Sequence, residues 1–159
     1  MMEIKIKLLT GGKMPTKGTI GVAGYDCYAR EDITVGTEPV LIGLGFAIEI
    51  PPGYHAKIFP RSSTGLKTLL RQPNSCGIID SDYRGEVKVM YEAKMYFFER
   101  EIVVKKGYHS IKAGERIAQM LIERNEDTTL VPVAELSETK RGNGGRLSKR
   151  ELISLSLTI

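Results

Sequence analysis

The chain has 159 residues, enough for one domain around a single hydrophobic core. Hydrophobic residues make up 42% and charged residues 26%, ordinary values for a globular protein in water. The formal net charge of +4 suits a protein that handles anions, although many small proteins are mildly basic with no such task.

Residues 3–9, EIKIKLL, alternate with the two-residue period of a strand. Residues 10–26 read as loop, with Pro15 and glycines at 11, 12, 18 and 21. Residues 39–50 are apolar, PPG at 51–53 is a turn, and YHAKIF at 54–59 is the returning strand of a hairpin. Pro60 ends that strand, and the serines that follow are placed to cap a short helical turn. Further strands are expected at 86–93, 95–104, 115–123 and 130–136. With 17 glycines, 7 prolines and little helical periodicity, the pattern predicts an all-β, jelly-roll-like barrel or sandwich. After residue 136 the composition turns polar, glycine-rich and then basic. The expected organisation is therefore a β domain over 1–136 and a flexible arm over 137–159, whose last nine residues are a strand or a disordered tail.

Two cysteines are too few for a disulfide framework, which points to a reducing, cytoplasmic setting. The first residues carry no long apolar run, and nothing approaches the roughly 20 residues of a membrane helix, so neither leader nor membrane association is expected. His55 and His109 lack ligand spacing, so no transition-metal site is expected. The aromatics are not interleaved with basic residues, which argues against direct nucleic-acid binding.

Five stretches carry the chemistry: AGYDCYA (23–29), PRSSTGL (60–66), NSCGIIDSDYRGEVKV (74–89), GERIAQMLI (114–122) and RGNGG (141–145). Each is weak alone. Asp80 reads as a proton acceptor for water or as a turn aspartate bonded to its own backbone. Tyr83 offers a flat ring or is an ordinary turn aromatic. Arg61, Ser62 and Ser63 form a cationic, hydroxyl-rich turn suited to phosphate oxygens, or a capped turn with an exposed arginine. Ile78 and Ile79 suit core packing, and Gly77 a bend. Gln119 lies between Ile117 and Leu121 on one expected strand face, which makes that face partly apolar.

In this order and spacing the five stretches closely resemble the motifs of the trimeric dUTP diphosphatases (dUTPases). The resemblance implies a jelly-roll-like β-barrel and a homotrimer with active sites at the subunit interfaces. It implies Mg²⁺-dependent hydrolysis of dUTP to dUMP and pyrophosphate, which limits uracil in DNA and supplies dUMP for dTMP synthesis. By the same resemblance Asp80 meets the 3′-hydroxyl region and activates the attacking water, and Tyr83 stacks on deoxyribose. Asn74, Gly77, Ile78 and Ile79 form a hairpin pocket for uracil, and Lys88 touches the nucleotide. Arg61, Ser62, Ser63, Gln119 and Arg141 hold the phosphates, while Asp26 meets Mg²⁺ through water. Asp82, Arg84 and Glu86 are expected to be turn and strand-surface charges.

The fifth stretch departs from the family. After RGNGG, Arg146 stands where an aromatic is expected, followed by Leu147, Ser148, Lys149 and Arg150. An arginine can lie flat on a base, so it is a substitute for the missing ring or a sign that the arm does not close. The segment 91–113 is also longer than usual. Two other readings follow: a dCTP deaminase-like enzyme, with Glu86 as its only nearby candidate acid, or a nucleotide-sensing protein of this fold that binds a regulatory protein partner.

Overall fold

A computed structural model describes residues 2–94 and 107–144. The strand expected over 95–104, Arg146 and the tail after it lie outside the described residues. By its contacts the chain divides into two units, residues 1–127 and 128–159.

The regular structure of the first unit is antiparallel β apart from one short helix. Its strands are β1 (Lys5–Leu8), β2 (Tyr25–Tyr28), β3 (Ile33–Val35), β4 (Val40–Gly43), β5 (Phe46–Glu49), β6 (Tyr54–Pro60), β7 (Leu70–Arg71), β8 (Gly77–Ile79), β9 (Lys88–Ala93), β10 (His109–Ile111) and β11 (Arg116–Arg124). One short helix, α1 (Ser62–Lys67), follows β6. The central sheet has the order β2-β11-β6-β8, and β4-β9-β7 forms a second sheet. Two ladders of two strands, β1-β5 and β10-β3, complete it. The inward positions, including Phe46, Ile58, Val89, Tyr91 and Ile111, make one core. Among the described residues no helix is long and apolar enough to cross a membrane.

The apolar run 39–50 is two strands, because Gly45 at φ +74° breaks it between β4 and β5. Those strands also part company, β4 pairing with β9 and β5 with β1. The expected hairpin with 54–59 therefore does not form; β6 pairs with β11 and β8. Pro51 and Pro52 remove two adjacent donors where such a ladder would begin, and the chain crosses to another sheet. The segment 10–26 is not loop throughout, since β2 starts at Tyr25 and pairs with β11. No strand forms over 130–136: Pro132 interrupts the ladder, and Leu130, Val131, Val133 and Leu136 are exposed.

Candidate functional site

Three of the singled-out polar residues, Asp26, Arg61 and Gln119, come together near the end of β6. Gln119 on β11 stands opposite Asp26 on β2 and opposite Phe59 on β6. Ala118 faces Pro60, so Arg61 emerges beside the same strand positions. The Asp26 carboxylate is 12% exposed, with Arg61 Nε 3.4 Å from Oδ1 and Arg116 Nη1 3.2 Å from Oδ2. Arg61 Nη1 also donates to the Arg116 carbonyl at 3.3 Å. The arginine and carboxylate atoms at 3.4 Å are out of hydrogen-bond alignment, and both are buried without a hydrogen-bond partner among the described residues. Such orphans are costly, and two arginines around one carboxylate leave positive charge to spare. The place suits an incoming anion or the water shell of a cation.

Ser62 and Ser63 sit within the first turn of α1 and do not cap it; the N-cap is Arg61, which makes no side-chain cap bond. The serine N–H groups thus belong to the turn that lacks intrahelical acceptors. Ser63, Arg61, Lys67, His109 and Arg116 line a cleft of about 190 Å³ here.

Gln119 points outward between buried Ala118 and Met120, as strand alternation requires, and it is Ile117 that departs from the alternation. A register shift between Arg116 and Ala118 puts Ile117 in the core, 3% exposed, although it lies two residues from exposed Gln119. Fully buried Tyr91 holds the irregularity by donating its hydroxyl to the Ile117 carbonyl at 2.7 Å. Burial pushes the Tyr91 phenol up to about 12, so it remains a donor.

The second gathering lies along the β8 edge of the same sheet. Ile78, Ile79, Asp80, Tyr83, Glu86 and Lys88, with Leu41, line a cleft of about 260 Å³. Ile78 is 56% exposed, unlike a core residue. The Tyr83 N–H donates to the Asp80 carbonyl at 3.2 Å, closing the turn, and its hydroxyl donates to the Glu86 carbonyl at 3.1 Å. Strands β8 and β9 are not a hairpin, since among the described residues β8 pairs only with β6. Its outer edge carries no strand among the described residues, leaving backbone donors and acceptors available. Gly77 is not required by a bend: a Cβ there would meet Ile58 at an ordinary 3.4 Å, and its φ is not positive. The positive φ, +59°, falls at Ser75, in the turn that also holds exposed Asn74.

Glu86 is not a surface charge. Its carboxylate is 13% exposed and accepts from Arg30 Nη1 at 3.2 Å and from the Gly45 N–H at 3.0 Å. Sequence reading also missed Arg116, although it lies inside a quoted stretch; its partner Asp26 is 90 residues away. Arg141 belongs to the second unit, where its Nε donates to the Gly144 carbonyl at 2.8 Å.

The dUTPase family model matches residues 10–149. The chain belongs to the dUTPase family. Among relatives of this dUTPase, the deoxyuridine 5′-triphosphate nucleotidohydrolase of Hydrogenobaculum sp. (strain Y04AAS1) is 40% identical over 141 residues, 87% of this chain and 91% of the relative. That of Yarrowia lipolytica is 36% identical over 148 residues, 91% of this chain and 87% of the relative. The fold matches the Staphylococcus bacteriophage 80alpha dUTPase solved with dUPNHPP, with a TM-score of 0.75, 29% identity, and coverage of 90% of this chain and 95% of that one. A mutant dUTPase of S. aureus phage phi11, described as coordinating a structural Mg(II) ion, matches with a TM-score of 0.72, 25% identity, and coverage of 84% and 98%. The all-β architecture is that of this family.

Proposed function

We propose that this dUTPase hydrolyses dUTP to dUMP and pyrophosphate, limiting uracil in DNA and supplying dUMP for dTMP synthesis. Family membership supports the reaction, and one observation supports the assignment of parts: the chain carries two complementary half-sites. The cleft at Ile78–Tyr83 has the apolar walls and bare strand edge that suit a base and sugar. The cluster of Asp26, Arg61, Ser62, Ser63 and Gln119 has the charge and donors that suit a triphosphate.

In this reading uracil docks on the open edge of β8, with Asn74, Gly77, Ile78 and Ile79 as its slot and Lys88 at the rim. Asp80 lines that cleft and is exposed, so it accepts the proton of a water aimed at the α-phosphorus. Arg61 and the two serines hold the outer phosphates, and the family resemblance adds Arg141 as a further cation for them. Gln119 donates to an α-phosphate oxygen without the grip of a charge. Asp26 fits a hydrated Mg²⁺, because its buried Oδ1 accepts no hydrogen bond among the described residues. Among the described residues no three His, Cys, Asp or Glu side chains converge, which suits an ion held by phosphates and water. When bound, Mg²⁺ draws charge off the triphosphate. Phosphoryl transfer needs mostly positioning and electrostatics, and this inventory meets that need.

Asp26 and the Ile78–Tyr83 cleft lie on opposite edge strands, β2 and β8, with β6 and β11 between. At the usual strand spacing that is about 14 Å, which favours sites completed by another copy in a homotrimer. A deaminase reading loses its acid, since the Glu86 carboxylate is engaged by Arg30 and Gly45. A regulatory role has one supporting observation: structures of the phage 80alpha dUTPase are described as those of a controller of virulence-gene transfer. A protein partner retained by the dUTP-bound chain at negligible turnover would support that role.

Pyrophosphate release from dUTP, dCTP, dTTP and UTP, with and without Mg²⁺, tests the main reading. Turnover confined to dUTP and dependent on Mg²⁺ is expected. Ammonia release from dCTP, or no release from dUTP, overturns it.

A further inference from the structure

We propose that Glu86 is a positioning residue that holds the Tyr83 ring, and so sets how strongly the cleft rejects a ribose 2′-hydroxyl. This rests on the reading of the cleft as the nucleoside half-site. The Glu86 carboxylate is anchored twice, by Arg30 Nη1 and by the Gly45 N–H. Gly43 makes room for it, since a Cβ there would overlap Glu86 Oε1. The next residue is pinned on both sides: the Val87 N–H donates to Phe46 O at 2.8 Å, and the Leu44 N–H donates to Val87 O at 3.0 Å. The Glu86 carbonyl is therefore a fixed acceptor, and it is the one the Tyr83 hydroxyl uses. Gly85 lies under the phenol, where a Cβ would overlap the Tyr83 hydroxyl. The ring is thus tied through Glu86 to the β4–β5 turn, although Tyr83 itself is 43% exposed.

Crowding alone rejects an added hydroxyl by about 10²-fold at most, and only if the wall cannot yield. An exposed ring on an eight-residue connection would yield; a ring fixed to the core would not.

The test measures binding of α,β-imido dUTP and α,β-imido UTP by calorimetry, which needs no turnover. Parent, Tyr83→Ala, Gly85→Ala, Glu86→Ala and Glu86→Gln full-length proteins are compared, with melting temperatures recorded alongside. Glu86→Ala and Gly85→Ala are expected to lower the deoxy/ribo preference by about tenfold, approaching Tyr83→Ala. Glu86→Gln keeps an acceptor for the Gly45 N–H and is expected to restore most of the preference. If Tyr83→Ala lowers the preference while Glu86→Ala or Gly85→Ala leaves it intact, the inference is overturned and the cleft reading stands. If Glu86→Ala does not fold, Gly85→Ala decides alone. A parent without preference, or a Tyr83→Ala protein that keeps it, overturns both.

Discussion

Asp80 and Asp82 stand two residues apart in one turn and both are exposed, yet only Asp80 lines the cleft with Ile78, Ile79 and Tyr83. Removing a general base costs about 10²–10⁴-fold in rate. Asp80→Asn is expected to lower kcat by that amount, whereas Asp82→Asn should keep kcat and change stability by no more than about 0.5 kcal/mol. Equal loss in both variants, measured by pyrophosphate release and thermal melting, would place the chemistry elsewhere. The two cysteines differ in a parallel way. Cys27 is fully buried, and burial first, then the nearby Asp26 charge, pushes its thiol up to about 12; Cys76 is half-buried. The folded thiol binds its proton more tightly than the unfolded one. That contribution to stability is full below about pH 8.5, the ordinary thiol value, and is lost as pH rises toward about 12. A thiol reagent at pH 8 is expected to label one cysteine per native chain, Cys76, and two after denaturation. Fast labelling of Cys27 in the native protein would contradict its burial.

At the scale of elements, the turns before β2 and after β4 cross at two glycines. The Leu9 N–H donates to the Gly45 carbonyl at 2.9 Å, and the Gly12 N–H donates to the Leu9 carbonyl at 2.8 Å. A Cβ at Gly12 would overlap the Gly45 carbonyl, a backbone atom that cannot swing aside. Gly12→Ala is therefore expected to cost about 1–3 kcal/mol, read as a lower Tm with the substrate KM unchanged; an unchanged Tm would mean the turns part freely. Nothing local in TGGK announces this crossing, which marks how far the sequence can be read. Strands β1, β6, β9 and β11 were legible because each alternates over enough residues to show a period. Strands β3, β7 and β10 have two or three residues and exist because a partner pairs with them. The apolar stretch 130–136 has the composition of a strand but forms none, because Pro132 interrupts it. In the candidate site the short motifs were visible, since residue types and spacing lie within a few positions. The pairs Asp26–Arg116 and Arg30–Glu86 were not, being 90 and 56 residues apart. Nor was the bulge that turns Ile117 inward.

At the scale of the molecule, the decisive question is whether Asp80 and Arg61 of one chain serve the same substrate. Asp80 follows β8 and Arg61 follows β6, which are antiparallel neighbours; Ile79 stands opposite Ala56, so the two residues leave opposite ends of the pair, roughly 20 Å apart along the strands, and no side-chain rearrangement brings them together. Four apolar side chains at 130, 131, 133 and 136 are also exposed, in keeping with a surface that another copy covers. Complementation separates the two possibilities. Asp80→Asn and Arg61→Ala proteins are each expected to be nearly inactive alone. If every site takes Asp80 from one copy and Arg61 from its neighbour, random mixed trimers formed by joint refolding regain a complete pair at about a quarter of their sites. Turnover should then rise from near zero to about that fraction of the parent's, and light scattering should report trimers throughout. If both residues served one substrate from a single chain, every site in every mixed trimer would carry one defect. The mixture would then stay as inactive as its components, and the division of the site between copies would be refuted.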